Sequence, residues 1–435
     1  MEKWEEQIKM RVNPQVPASV EQSINETLHS LPKKKTFPRL FYPVAAVFLV
    51  GFLLFGVSFM SPTLAETLRS VPVIGSIFKM VGDVGTQKGE KEGLTTLLGQ
   101  QVEINGQVIT FTESLFDGSQ IHIGYIVESY ATGETLSATD LLSPFMLTVD
   151  GKGVSYGMGE RGETLENGDY AGIISISIQE ELPEEFILGI RSQKEKALNL
   201  ELQISKQGEN KSFLVNQTVE NADLMMHYDK VTFFPTSTEI AFRQVMDEKT
   251  FENRKYEWMN YQVIDDQGRV LQPLSGGGGG GMSKGKFVET LTYYFEPLEK
   301  LPKSLTFKPY LMDIDEDRVV EEVKGKWKEE VLTLSQGEIG ETSILDIKIE
   351  NGLVTLTVET IGDDAYWQAN SIWIEDQTGN AYYSEKGPIR VGNSVNQYEI
   401  QFEANITAEN IQIVTYKQKA PIYLEELEVT IELGE

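Results

Sequence analysis

A glycine-rich segment is the part of the sequence that most resembles a chemical motif. In SGGGGGGMSKGKF at 275–287, Gly280, Gly285 and Lys286 have the spacing of G-x-x-x-x-G-K, a loop whose backbone N–H groups bind phosphate. That motif needs a Ser or Thr after the lysine to hold magnesium and a helix behind it, but Phe287 follows and FVETLTYYFEPL reads as a strand. The segment is therefore predicted to be a long flexible loop that joins two strands.

The acidic segment DIDED at 313–317 has carboxylates at alternate positions, as at the start of a calcium loop. Such a loop requires a glycine and then a bidentate glutamate, but Arg318 and Lys324 occupy those two positions. We interpret the segment as an acidic, solvated turn, with weak divalent-cation binding as the alternative.

Familiar catalytic motifs are missing from the sequence. It contains no cysteine, no G-x-S-x-G and no H-E-x-x-H, and its only histidines are His29, His122 and His227. The last two lie in strand-like segments and are predicted to be structural. Any two acidic residues could form a hydrolytic pair, but the sequence singles none out. The prediction is a non-enzymatic protein without catalytic residues, bound metal or cofactor.

A long apolar run decides how the rest of the chain is placed. Residues 40–60 include only one polar side chain, Ser58, and 21 residues of helix span the ~30 Å hydrocarbon layer. The run predicts a transmembrane helix over 40–61. A cleaved signal peptide and a buried helix are the alternatives, weakened by the preceding 39 residues and by the absence of a polar stripe.

Charge orients this predicted span and separates the two sides of the membrane. A cluster of cations precedes it and is expected to stay cytoplasmic, which places the bulk of the chain outside the cell: Lys33, Lys34, Lys35 and Arg39. The tail 1–39 holds seven basic and five acidic residues, whereas the whole chain carries −28, so the remainder carries about −30. Nucleic acid is therefore excluded as a partner of the outer part, because phosphates would be repelled. The lack of cysteine favours a bacterial cell surface.

The cytosolic tail contains one amphipathic helix. Ser19 and Gln22 form a capping-box pattern, and an apolar stripe follows on one helix face: Val20, Ile24, Leu28 and Leu31. A single helix cannot bury its own stripe, so these four residues are the candidate partner-binding residues. A helix that lies on the membrane is the alternative.

Beyond the span the pattern is that of β-structure. Asn105 and Gly106 between two alternating apolar runs predict a hairpin. Three strand segments, QIHIGYIVES, TEIAFRQV and LVTLTVET, are each followed by a glycine turn and a further strand pair, with the turns at Gly151, Gly268 and Gly379. The repeat predicts a mainly β protein of tandem immunoglobulin-like β-sandwich domains, with two domains after a divergent first one as the fallback.

The predicted organisation has six parts. They are a cytosolic tail at 1–39, a transmembrane helix at 40–61, juxtamembrane helices at 62–98, and β-sandwiches at 99–206, 215–334 and 338–435. The boundaries between sandwiches follow polar, glycine-containing segments.

This layout resembles a known group of membrane proteins. The triple lysine before one span, SPTLAETLRSVPVIGSIFKMVGD and the DGSQIHIGYIVE strand are similar to Bacillus-type proteins that carry the domain of unknown function DUF4179. The segment with YQVIDDQGRVLQP and the glycine run resembles the domain DUF5643 that usually follows it. The resemblance implies an anti-sigma-factor-like regulator in the membrane of a Gram-positive cell, and it defines no catalytic residues.

Three functions remain open on the sequence. The first is a single-pass envelope-signal regulator whose outer domains bind an unknown ligand or wall component, and whose residues 1–31 bind a sigma factor or another cytosolic regulator. The second is a structural or adhesive surface protein whose N-terminal helix only anchors it. An extracellular hydrolase is the least supported, since no nucleophile or metal cluster is visible.

Overall fold

β-strands make up most of the chain in the computed structural model, which describes residues 75–129, 135–192, 199–312, 320–407 and 410–434. About 56% of it is strand and 10% helix, so the predicted mainly β class is confirmed. Across these ranges, no helix has both the length and the apolar character needed to cross a membrane. The predicted span at 40–61 and the tail at 1–39 lie outside the described residues.

The first unit consists of two antiparallel sheets packed on one core. Its five-stranded sheet has the order β1 (Thr95–Ile104), β2 (Gln107–Phe116), β3 (Ile121–Val127), β7 (Tyr170–Ile178) and β6 (Tyr156–Thr164). Its four-stranded sheet has the order β5 (Lys152–Gly153), β4 (Phe145–Val149), β8 (Glu185–Ser192) and β9 (Asn199–Ser205). The β1–β2 hairpin turns at Asn105 and Gly106, both with positive φ, as the Asn-Gly pair predicts.

The second unit repeats this arrangement. Its five-stranded sheet has the order β10 (Lys211–Glu220), β11 (Leu224–Phe233), β12 (Thr238–Asp247), β15 (Lys286–Phe295) and β14 (Pro273–Ser283). The opposing sheet contains β13 (Met259–Asp265), β16 (Ser304–Leu311), β26 (Ile422–Tyr423) and β27 (Val429–Glu432), with a 3-10 helix at Glu425–Leu427 before β27. Aromatic side chains such as Tyr228, Phe242 and Phe307 fill the space between the sheets.

The third unit has the same two layers. Its five-stranded sheet has the order β18 (Leu332–Ser335), β19 (Gly340–Glu350), β20 (Leu353–Gly362), β24 (Gln397–Glu403) and β23 (Ile389–Arg390). The opposing sheet has the order β17 (Glu322–Lys326), β25 (Gln412–Tyr416), β21 (Trp373–Glu375) and β22 (Ala381–Tyr382). The three segments of the predicted repeat are β3, β12 and β20, and each is the central strand of its five-stranded sheet.

The third unit interrupts the second unit in the chain. In the first unit β8 pairs with the strand that follows it, β9. In the second unit the strand after β16 is β17, but β17 pairs with β25 of the third unit, and β16 pairs instead with β27 at the end of the chain. The predicted division into 215–334 and 338–435 is therefore wrong at both ends of the third domain. The third unit begins at β17 and ends before β26, and it is inserted into the second unit.

The glycine run is a strand and not the predicted loop. Residues 276–281 lie in β14 and pair with β15 along its length. A Cβ atom at Gly276 would lie 2.3 Å from the ring of Tyr293, and one at Gly278 would lie 2.0 Å from the carbonyl oxygen of Thr290. The ring of Tyr293 and the backbone of β15 therefore occupy the space that a larger residue would need at these two positions.

Short helices complete the described chain. Helices α1 (Ile77–Val81) and α2 (Val84–Lys91) precede β1, and the others are α3 (Ala138–Leu142), α4 (Glu248–Glu252) and α5 (Ala365–Asn370). Buried apolar residues of α1, Ile77 and Phe78, pack on Ile126 and Ile173 of the first unit. Helix α1 thus covers the face of the five-stranded sheet that points away from the first core.

Candidate functional site: a cleft between the three units

The functional residues predicted from the sequence are not placed by the structure. The stripe of the tail helix and the cations before the span lie outside the described residues, and so does the acidic segment 313–317. These assignments stay predictions: Val20, Ile24, Leu28, Leu31, Lys33, Lys34, Lys35 and Arg39.

A cleft of about 410 Å³ lies where the three units meet. Strand β6 of the first unit forms one wall through residues 160–163, and Val81 and Asp83 of the α1–α2 connection lie beside it. Residues 272–274 of the second unit and Tyr366, Asn370 and residues 384–387 of the third unit form the rest. The lining thus comes from every unit and from the segment that follows the predicted span.

The first-unit wall is held by polar contacts to β6, the edge strand of its sheet. Glu160 accepts hydrogen bonds from the hydroxyl groups of Tyr125 and Thr139. The guanidinium of Arg161 lies 3.6 Å from the carboxylate of Asp83. Asp83 also caps α2 by accepting from the N–H of Thr86 at 2.9 Å. Strand β6 is therefore linked to the connection between α1 and α2.

The opposite wall rests on a buried contact between the second and third units. Arg390 donates to the carboxylate of Glu296 at 2.9 Å and to the carbonyl oxygen of Val270. The side chains of Arg390 and Glu296 are only 9% and 15% exposed. The guanidinium also lies 5.0 Å from the ring centre of Tyr398. These contacts fix the second unit against the third.

A smaller lobe of about 190 Å³ continues the cleft along the third unit. It shares Glu163, Glu385 and Lys386 with the main lobe and adds Glu403 and Tyr383. Tyr383 is 66% exposed and stacks on Trp373, with ring centres 6.0 Å apart. The smaller lobe therefore combines carboxylates with an accessible aromatic face.

Carboxylates outnumber cations around the two lobes. Asp83, Glu160, Glu163, Glu385 and Glu403 face two cations, Arg161 and Lys386. Burial raises the pKa of Glu163, the nearby carboxylates raise it further, and Lys386 opposes them. In the described part of the chain, no group of three or more carboxylates and histidines has the geometry to hold a metal ion. The described lining of the cleft is thus acidic and forms no preformed metal centre.

The described histidines lie away from the cleft and have hydrogen-bond partners. His122 is 6% exposed, its Nδ1 lies 2.9 Å from the hydroxyl of Ser175, and burial lowers its pKa. His227 contacts the hydroxyl of Thr218 at 2.7 Å. Both side chains lie in strands, β3 and β11, as their sequence patterns predict.

Sequence reasoning missed the cleft because its residues come from separate segments without a shared motif. Glu163 and Glu385 are more than two hundred positions apart, and neither lies in a recognisable pattern. The available signal was the predicted repeat, since interfaces between repeated domains are frequent places for ligand sites.

Two families match parts of the sequence. Residues 34–129 match the domain of unknown function DUF4179, and residues 210–350 match the family of unknown function DUF5643. This order is the predicted one. No curated protein matches the chain. Among solved structures, the crystal structure of the conserved domain protein from Bacillus anthracis aligns with a TM-score of 0.43 and 15% identity, over 83% of this chain and 100% of that one.

Proposed function

Because the chain carries the domain DUF4179 followed by the domain DUF5643, we propose that it is a single-pass regulator of the bacterial cell envelope. Its tandem immunoglobulin-like β-sandwiches lie outside the cell, its helix at 40–61 spans the membrane, and its residues 1–31 bind a cytosolic regulator as anti-sigma factors do. The outer part binds a ligand and catalyses no reaction.

The observation that supports this proposal is that helices α1 and α2 contact both the first and the second unit. The side chain of Phe78 is fully buried against the first unit. Glu113 of that unit accepts hydrogen bonds from the hydroxyl of Ser76 at 2.8 Å and from the N–H of Phe78 at 3.2 Å. The start of α1 is thus fastened to the first unit by packing and by a buried carboxylate.

Helix α2 is fastened to the second unit. The ammonium of Lys88 donates to the carbonyl oxygen of Pro235 at 2.9 Å. A Cβ atom at Gly85 would lie 2.2 Å from the carbonyl oxygen of Thr236, so the helix backbone lies directly against that loop. A change in the angle between the first two units must therefore move α2, and α1 and α2 follow the predicted span in the chain.

The same loop of the second unit is held by the first unit. Asp117 has no exposed surface and accepts from the N–H of Thr236 at 2.9 Å and from its hydroxyl at 2.6 Å. A buried carboxylate with these partners gives the junction a defined geometry. A regulator needs a junction of defined geometry, because a signal can shift an equilibrium only between distinct arrangements of the two units.

The test replaces residues 1–31 with an unrelated sequence of equal length in the chromosomal gene of the encoding organism. For a regulator, we expect RNA sequencing to show the same set of changed transcripts as deletion of the whole gene. A control strain replaces residues 193–198, which lie far from the tail in sequence, with a Gly/Ser segment of the same length and should match the parent. If the tail replacement matches the parent while deletion does not, the protein is a structural or adhesive one.

A further inference from the structure

The acidic cleft between the three units contains carboxylates that the described chain leaves without a cationic partner at contact distance. No lysine or arginine of the described ranges lies within 4.0 Å of the carboxylates of Glu163, Glu385 or Glu403. All three carboxylates line the smaller lobe, and Lys386 beside them offsets only one of the three negative charges, so the remaining repulsion disfavours the empty state. A bound cation would relieve that repulsion.

The shape and lining of the cleft favour an elongated cationic ligand over a single metal ion. Its two lobes share Glu163, Glu385 and Lys386, so they form one elongated groove rather than a compact cage. A bare divalent ion needs several oxygen ligands at one point, and the described residues do not converge in that way. An elongated ligand with spaced ammonium or guanidinium groups matches separated carboxylates. The exposed ring of Tyr383 adds a face for a cation.

We infer that this cleft binds a cationic peptide. The peptide backbone lies along the two lobes, and its lysine or arginine side chains pair with Glu163 in the middle and with Glu385 and Glu403 at the side of the third unit. The strongly negative charge of the chain outside the tail raises the local concentration of such a ligand and speeds its encounter with the groove.

Binding at this place would reach the juxtamembrane segment directly. Val81 and Asp83 line the same cleft as Glu163, and Asp83 contacts Arg161 of β6. A peptide that draws β6 toward residues 385–386 therefore acts on the residues that join α1 to α2. This role as the sensed signal rests on the proposed regulatory function, whereas the binding itself does not.

The binding test uses the full purified chain in detergent micelles and a fluorescently labelled hexalysine peptide, read by anisotropy. The double variant Glu163→Gln with Glu385→Gln should bind the peptide about tenfold more weakly, since each partly exposed ion pair contributes about threefold. The control is Glu185→Gln with Glu350→Gln, which removes the same charge from exposed positions outside the cleft and should change the affinity less than twofold. Unchanged circular dichroism verifies that both variants fold.

Two outcomes overturn the inference: equal weakening by both double variants, which would mean attraction to the net charge alone, or no weakening by the cleft variant. The proposed regulatory function is tested separately, by measuring the transcript response of cells treated with a cationic peptide. If the double variant Glu163→Gln with Glu385→Gln binds weakly but the transcript response does not depend on residues 1–31, the peptide site in the cleft is supported and the proposed regulatory function is rejected. If the response depends on residues 1–31 and the cleft variant binds normally, only the cleft site fails.

Discussion

The insertion of the third unit into the second predicts that a mutation at the end of the chain weakens the middle of it. Ile431 on β27 is 5% exposed and pairs with Leu305 of β16 in the core of the second unit. Truncating a buried isoleucine to alanine costs about 2–5 kcal/mol, through lost transfer energy and the cavity left behind. Typical domain stabilities are about 5–15 kcal/mol, so Ile431→Ala removes a large part of the stability of the second unit.

Hydrogen exchange measured by mass spectrometry on the full chain locates that loss. We expect Ile431→Ala to accelerate exchange in β11, β12 and β16, which precede Ile431 in sequence by up to about two hundred residues. The matched control is Glu432→Ala, an exposed neighbour on the same strand, which should change stability by less than about 0.5 kcal/mol. The reciprocal variant Val323→Ala on β17 should act on the third unit, since Val323 packs on that core.

The reasoning is refuted if Ile431→Ala accelerates exchange only within residues 320–416. Such a result would mean that β27 completes the third unit, as the sequence had predicted. Equal effects of Ile431→Ala and Glu432→Ala would also refute it, because only the first side chain is buried in the second core.

Three further changes test other contacts. Arg390→Ala leaves a buried carboxylate unpaired and should cost about 3–5 kcal/mol in chemical denaturation, whereas Arg254→Ala, which breaks an exposed pair, should cost less than about 1 kcal/mol. Gly276→Ala should destabilise by about 1–3 kcal/mol against the ring it meets, but Gly277→Ala, with open space around its Cβ, should be tolerated in thermal unfolding. Burial raises the pKa of Glu113 above its ordinary value of 4.5, so the stability that the protonated side chain contributes is present below that pH and is lost as the pH rises. Between about pH 4 and pH 7, the melting temperature of Glu113→Gln should therefore rise relative to that of the unchanged protein. A difference that stays constant with pH would contradict this.

The local sequence pattern is sufficient to predict where the strands lie, but it is insufficient to predict which strands pair with each other. The segments of β3, β12 and β20 alternate with period two, and each is a central strand. Strands β17 and β27 also alternate, but alternation does not specify which unit provides the neighbouring strand. The insertion depends on pairing between residues about one hundred positions apart, such as Val323 with Thr415 and Leu305 with Ile431. The predicted boundaries failed at this point for that reason.

The glycine run shows propensity overridden by tertiary contacts. Six consecutive glycines have little intrinsic preference for a strand, which favours a loop. In the structure β15 supplies the ladder partners, and the hydroxyl of Ser275 donates to the side-chain oxygen of Gln120 in the first unit at 2.8 Å. Because Tyr293 and the β15 backbone approach so closely, glycine is the residue type that fits at Gly276 and Gly278.

The insertion also determines which junction can respond to a ligand. The chain crosses between the second and third units twice, from β16 to β17 and from β25 to β26, so these two units cannot turn freely about a single connection. The first unit is joined to the second by one crossing, from β9 to β10, and by polar contacts such as Asp117 with Thr236 and Lys88 with Pro235. A junction with one crossing and polar contacts permits relative motion more readily than one with two crossings does. We therefore expect the first unit to move as a body against the joined second and third units. Helices α1 and α2 and the acidic cleft both lie at that boundary, which is where a bound cationic peptide would do the most to favour one arrangement over the other.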